Sequence, residues 1–376
     1  MRRNIPADFA EGRKIWSVDT EYLHIDGERV VPHCVCALEL RTGQRWEAWV
    51  GGPEPVPTPP WNPAEDVVLD YNGTAEHGVF LVLGWQFPKR HFDWLPELKV
   101  LHGTRIPAGL NPKDHPWALL SQAAVQGIAT ISAAEKEEFR GLAMRGGPYT
   151  QEERRALLDY CWTDVDVLAE LFHKTAPQLL RCVPEWSVER AYFRGSVVQA
   201  YTRITERGIP VDREIWPRLK ANWQHVVNAL VSEVNTAWPL WRWNPKEQKY
   251  SLRLAKLLEV MAARRIPWPR TDTGKPCTDK DTLKSLALTY PQLVPVQEVF
   301  RTLGQFRLGE SLAIGTDGRN RVDFRPFTSS TGRCQPSNAE FVFGTSAWVR
   351  SVLAPHDIWH WLMWTYPPQK LQSRLC

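Results

Sequence analysis

Apolar and polar residues alternate from Lys14 to Val50, the period of half-buried β-strands. Three segments carry the pattern: KIWSVDTEYLHI, VPHCVCALELRTG and QRWEAWV. The Thr42-Gly43 step between the last two predicts a hairpin. The Pro- and Gly-rich run GGPEPVPTPPWNP (51–63) reads as a loop. Residues 64–101 alternate as short strand and helix, with apolar patches at 67–69 and 79–83. The stretch 117–145 is helix-prone up to Gly146-Gly147. Thr150-x-x-Glu153 then forms a capping box ahead of Leu157, Leu158, Cys161, Val165, Leu168 and Leu171 at helical spacing. Strands first, then mixed strand and helix, predict an α/β domain ending near residue 180.

The pattern changes in the second half. Residues 186–206 and 213–237 predict long amphipathic helices joined by the turn ERGIPVD. A Trp/Pro-rich patch (AWPLWRWNP) and two more helices are expected over 237–300. A strand-turn-strand unit around Thr316-Asp-Gly is expected over 310–325. Repeats and low-complexity tracts are absent.

Two carboxylates stand out in the first strand. Asp19 and Glu21 are two residues apart, so they share one strand face. Two like charges held that close call for a cation, and hard divalent ions favour such oxygen donors. Taken alone, Asp-x-Glu is more often a solvated acidic pair. Tyr160 and Asp164 are i, i+4 neighbours on the capped helix, a phenol placed to position water beside a carboxylate. Asp166 is rotated off that face and reads as a surface charge. Between these pairs, Asp70-Tyr-Asn-Gly-Thr-Ala-Glu76 offers a third acid at the start of an apolar stretch.

Taken in order, these features resemble the tyrosine-bearing branch of the DEDD superfamily of 3′→5′ exonucleases. The chain as a whole resembles a family A DNA polymerase, the DNA polymerase I type, in a phage-like subgroup. Asp19 and Glu21 match the first exonuclease motif; Tyr160 and Asp164 match the third. Glu76 is the preferred match for the middle acid, usually Asp, with Asn72 four positions earlier. Asp93 competes for that role but looks more like the start of the next helix. The resemblance implies an RNase H-like fold over 1–185. It also implies hydrolysis with two Mg²⁺ or Mn²⁺ ions held by Asp19, Glu21, Glu76 and Asp164, with Tyr160 orienting the attacking water.

Residues 186–355 resemble the opening, thumb and early palm, of a family A polymerase domain. The matching segments are Gly208-Ile-Pro-Val-Asp212, FRPFTSSTGRCQPSN (324–338) and VRSVLAP (349–355). The resemblance places Arg333 near a primer terminus and adds Arg350 as a second DNA-binding residue. Arg253, Lys256, Arg264, Arg265 and Arg270 are candidate phosphate contacts. After Pro355 the match stops. The tail 356–376, with Trp359, Trp361 and Trp364, fits nothing in the family and is expected to be disordered. The polymerase catalytic carboxylates are missing, so DNA synthesis by this chain is not expected. The implied partners are a single-stranded DNA 3′ end and primer-template duplex. The alternatives are an inactive DNA-binding remnant, or an interaction protein whose acids are accidental.

Composition narrows this only a little. The chain has 376 residues, 43% hydrophobic and 23% charged, which excludes disorder as its main state. A net charge of +4 is compatible with nucleic acid without demanding it. The seven cysteines form no C-x-x-C pair and read as isolated reduced thiols. His33 points away from the face shared by Cys34 and Cys36, which argues against zinc there. No secretory signal is visible and the longest apolar stretch is far too short to span a bilayer, so a cytoplasmic protein is expected.

Overall fold

The computed structural model describes residues 9–103, 105–112, 115–310, 312–329, 332–336, 340–344 and 347–354. The expected tail at 356–376 lies outside them, as do Thr331, Asn338 and Pro355. The fold is mixed α/β. It separates into two compact units, one formed by Met1–Gly208 with Ala313–Ser337, the other by Ile209–Leu312 with Asn338–Cys376.

The first unit is built on a five-stranded sheet: β1 (Ile15–Leu23), β2 (Val31–Glu39), β3 (Arg45–Trp49), β4 (Val67–Asp70) and β5 (Arg90–Asp93). Their order is β3-β2-β1-β4-β5. The first three strands form an antiparallel meander, joined at the expected hairpin. β4 and β5 run parallel to β1 and to each other. The strand alternation sorts the core. Trp16, Val18, Val35, Ala37 and Val68 pack with Val79 and Phe80 of α1 (Thr74–Val82). Ile15, Val67, Leu69 and Phe92 pack with Leu168, Leu171 and Phe172 of α5 (Gln151–Cys182). Helices α2 (Trp94–Leu101), α3 (Leu119–Val125) and α4 (Ala133–Arg145) lie between.

The compact unit runs past the expected boundary at residue 185, because α6 (Val188–Arg207) packs on β5 and α1. Gly195 permits the approach. A Cβ there would stand 2.2 Å from the His91 carbonyl oxygen, a distance no side chain tolerates.

The second unit surrounds α7 (Ile215–Ala237), whose Trp223, Val227 and Val231 form a buried stripe at four-residue spacing. The Trp-rich patch forms a hairpin. Trp241–Asn244 pairs antiparallel with Lys249–Leu252, and Trp243 meets Tyr250 across the pair at 5.1 Å between ring centres. Large aromatics on facing strands stabilise such a hairpin, and the Asn244-Pro245 step is a turn signal between them. Three helices follow rather than two: α8 (Leu254–Ala263), α9 (Lys280–Thr289) and α10 (Val294–Glu310).

The strand-turn-strand unit expected over 310–325 shrinks to one bridged turn. α10 runs to Glu310, and Ile314 bridges Asn320. The turn keeps a short backbone ladder, Gly315 N to Arg319 O and Arg321 N to Ala313 O, both at 2.9 Å, and the buried Arg321 guanidinium donates to Asp317, to Gly27 O at 3.0 Å and to Glu206 O at 2.9 Å. Phe324–Arg325 pairs with Gln335–Pro336.

Candidate metal centre

β1 is buried through Val18, then becomes half-exposed as it delivers Asp19 and Glu21. Both lie on the face turned to α5, as Ser17 does, whose hydroxyl donates to Val165 O at 3.1 Å. α5 begins at the expected capping box: Thr150 accepts from the Glu153 amide, and Glu153 accepts from the Thr150 amide. Its buried stripe seats Tyr160, Cys161, Asp164 and Val165 against β1 and β2. One carboxylate oxygen each from Asp19, Glu21 and Asp164 then lies within 4.8 Å of the other two. Asp166 turns outward and pairs with Arg45 at 2.6 Å.

Glu76 sits in the first turn of α1, 4% exposed. It stands outside the group within 4.8 Å, though the Asp19 charge still acts on it. Its ionised form is disfavoured first by burial, then by Asp70 and Asp19, so its carboxyl titrates well above the usual range. Asp19 is pushed up by burial and then by Asp164; Glu21 is pushed up by burial and then by Asp19. Among the described residues, three buried carboxylate oxygens have no hydrogen-bond partner: Asp19 Oδ2, Glu76 Oε2 and Asp164 Oδ1. Unpartnered buried carboxylate oxygens from three separate elements are costly, and a hard cation is the chemistry that satisfies them. The residues present therefore fit one or more divalent ions.

Tyr160 is 5% exposed and stacks on Phe139 at 5.2 Å. Burial, then the Asp164, Glu21 and Asp19 charges, hold its phenol protonated at any ordinary pH. Lys136, on α4, places Nζ 3.2 Å from Asp164 Oδ2 and 5.8 Å from the centre of the Tyr160 ring. Pattern reading passed over this lysine. The available signal was the capping box Ser132-x-x-Glu135, which fixes the start of α4 and so brings Lys136 to the acids.

Asp93 has a different task. It caps α2, its Oδ1 accepting the Leu95 and Asn72 amides and its Oδ2 the Gly73 amide. It thereby orders the Asn72–Gly73 turn that leads into α1 and Glu76.

A second group, also missed, is Asp70, His77 and His91, all fully buried and mutually within 4.8 Å. It is a hydrogen-bonded network rather than an open ligand set. His91 Nδ1 lies 3.1 Å from Gly195 O and Nε2 lies 2.8 Å from Asp70. Both partners are acceptors, so His91 is an imidazolium, and its pKa is raised accordingly by Asp70 despite burial. His77 Nδ1 faces Gly73 O at 2.8 Å and its Nε2 faces the Gln199 amide at 3.3 Å; burial lowers its pKa and keeps it neutral.

Arg333 is exposed, with its amide donating to Ser329 Oγ. Arg350 lies over the Phe343 ring at 5.6 Å. Several of the candidate phosphate contacts are already engaged within their own unit. Arg253 donates to Pro239 O and Arg270 to Gly274 O, Lys256 pairs with Glu259, and Arg264 stacks on Trp238 at 3.7 Å. Among the described residues, no helix is long and apolar enough to cross a membrane.

No known protein-family profile matches the chain, and no curated protein matches it at a significant level. Among solved structures it is similar to one described as the POL domain of Pol1 from M. smegmatis in complex with DNA primer-template and dNTP. The TM-score is 0.49 and the identity 14%, covering 89% of this chain and 54% of the other. The chain thus spans about half the length of that structure. A likeness of this order carries no inference about what this chain does.

Proposed function

We propose that the first unit is an RNase H-like, metal-dependent nuclease that hydrolyses DNA from its 3′ end. The observation that carries the reading is the convergence of Asp19, Glu21 and Asp164, with Glu76 beside them and buried oxygens left without partners. The sheet order, with two acids on the central strand, supports the fold assignment. The choice of DNA and the 3′→5′ direction rest on the motif order in the sequence.

Divalent cations, held by Asp19, Glu21 and Asp164 with Glu76 adjacent, would supply an activated water and offset the charge of the departing 3′ oxygen. The chain's own residues prepare that step. Tyr160, fixed against Phe139 and kept protonated, offers a hydroxyl that orients water beside Asp164. The surrounding core holds the acids within a narrow spread, which positions the scissile bond. The second unit is proposed to grip DNA through its backbone.

A second reading, an inactive DNA-binding remnant, is favoured by one observation: the Lys136 ammonium already sits on Asp164. Incubating the full chain with 3′-labelled single-stranded DNA and Mg²⁺ or Mn²⁺ separates the two. The nuclease reading expects label release that needs metal and disappears in Asp19→Ala. Retained DNA binding without release in the unaltered chain would select the remnant.

A further inference from the structure

Lys136 makes the two oxygens of Asp164 unlike. Oδ2 lies 3.2 Å from the ammonium, while Oδ1 is buried with no hydrogen-bond partner. Asp164 itself is 6% exposed, so water does not readily serve that oxygen. Asp19 Oδ2 is likewise buried and unpartnered. The open carboxylate oxygens are thus Asp164 Oδ1, Asp19 Oδ2 and, adjacent, Glu76 Oε2, while Asp164 Oδ2 is taken by Lys136.

A second divalent ion on the Lys136 side of Asp164 would meet the like charge of the ammonium that already pairs with Asp164 at 3.2 Å. Lysine suits this place because its ammonium is a compact point charge, able to face a phosphate oxygen as well as a carboxylate.

We propose that this centre takes one divalent ion, held by Asp19, Glu21 and Asp164 Oδ1, and that Lys136 supplies the second positive charge for the phosphodiester being cut. The inference rests on the nuclease reading above and revises the two-ion expectation drawn from the sequence.

The test counts ions rather than turnover. Mn²⁺ binding to the full chain is measured near neutral pH by titration calorimetry and by the resonance signal of free Mn²⁺. The unaltered protein, Lys136→Gln, Lys136→Arg and Asp19→Asn are compared, with circular dichroism to check folding. The expected result is one ion for the unaltered protein and for Lys136→Arg. Lys136→Gln is expected to take two, the second at least about tenfold tighter than any second ion on the unaltered protein. Two ions on the unaltered protein, or one on a folded Lys136→Gln, overturns the role of Lys136 while leaving a metal centre in place. Absence of Mn²⁺ binding in all four proteins overturns the nuclease reading together with this inference. Should Lys136→Gln not fold, the count on the unaltered protein decides: one ion supports the inference and two overturns it.

Discussion

His91 Nε2 lies 2.8 Å from both carboxylate oxygens of Asp70, and neither residue is reached by solvent. The pair joins β4 to β5 directly beneath the turn that launches α1 and Glu76. Gly73 closes that turn over Asp70, where a Cβ would stand 2.5 Å from Oδ1. The middle acid of the proposed centre is therefore positioned by a buried ion pair that touches no substrate.

Removing one partner strands the other. His91→Leu leaves the Asp70 carboxylate buried with only the neutral His77 ring, 3.3 Å away, beside it. Loss of about 3–5 kcal/mol of stability is expected. Urea unfolding of the variant against the unaltered chain measures it, and a change under about 1 kcal/mol would show that the pair is not ionised in the fold.

Asp93 gives a pH dependence opposite to the usual acid behaviour. Burial and then Asp70 raise its carboxyl from 3.8 to about 7. An acid whose folded pKa exceeds its unfolded value binds its proton more tightly when folded. Its contribution to stability is therefore greatest below about pH 4, falls as pH rises to about 7, and is flat above that. Asn keeps the capping role without the charge. The stability of the unaltered chain relative to Asp93→Asn should fall between pH 4.5 and 7, by an amount on the order of 3 kcal/mol. A pH-independent difference counts against the assignment.

Much of the first unit was legible because its signals are local and agree with one another. The Trp16–Val18 alternation, the Thr42-Gly43 hairpin and the Thr150 capping box each fix an element, and the elements place Asp19, Glu21 and Asp164 on facing surfaces. The buried polar network was not legible. Asp70, His77 and His91 look unremarkable along the chain, and only the parallel pairing of β4 with β5 sets Asp70 beside the strand carrying His91. Lys136 was hidden for the same reason, since it meets Asp164 through the packing of α4 on α5. The unit around Thr316 is shorter than its pattern suggests, because α10 runs on to Glu310 and leaves only the short turn bridged by Ile314 and Asn320.

Tyr160→Phe isolates the hydroxyl. The ring would keep its stacking on Phe139, so folding and metal affinity should change little. If the hydroxyl orients the attacking water, kcat should fall by about 10²-fold with KM nearly unchanged. An unaltered kcat would remove the proposed role and leave Tyr160 as a packing residue.

The unpartnered oxygens make a stability prediction that needs no substrate. Metal-free, the chain holds Asp19, Glu21 and Asp164 in mutual repulsion, relieved only in part by Lys136. Asp164→Asn lowers that repulsion while losing a ligand. At neutral pH without metal the variant should match or exceed the unaltered chain in Tm, even though the nuclease reading expects it not to cleave DNA. Adding Mn²⁺ should reverse the order. An ion at a hundred times its Kd stabilises the folded state by about 2.7 kcal/mol, which moves Tm by several degrees, and the variant should respond far less. Thermal scans with and without Mn²⁺ read both effects. A metal response of equal size in the two proteins would place the ion elsewhere, and with it the chemistry.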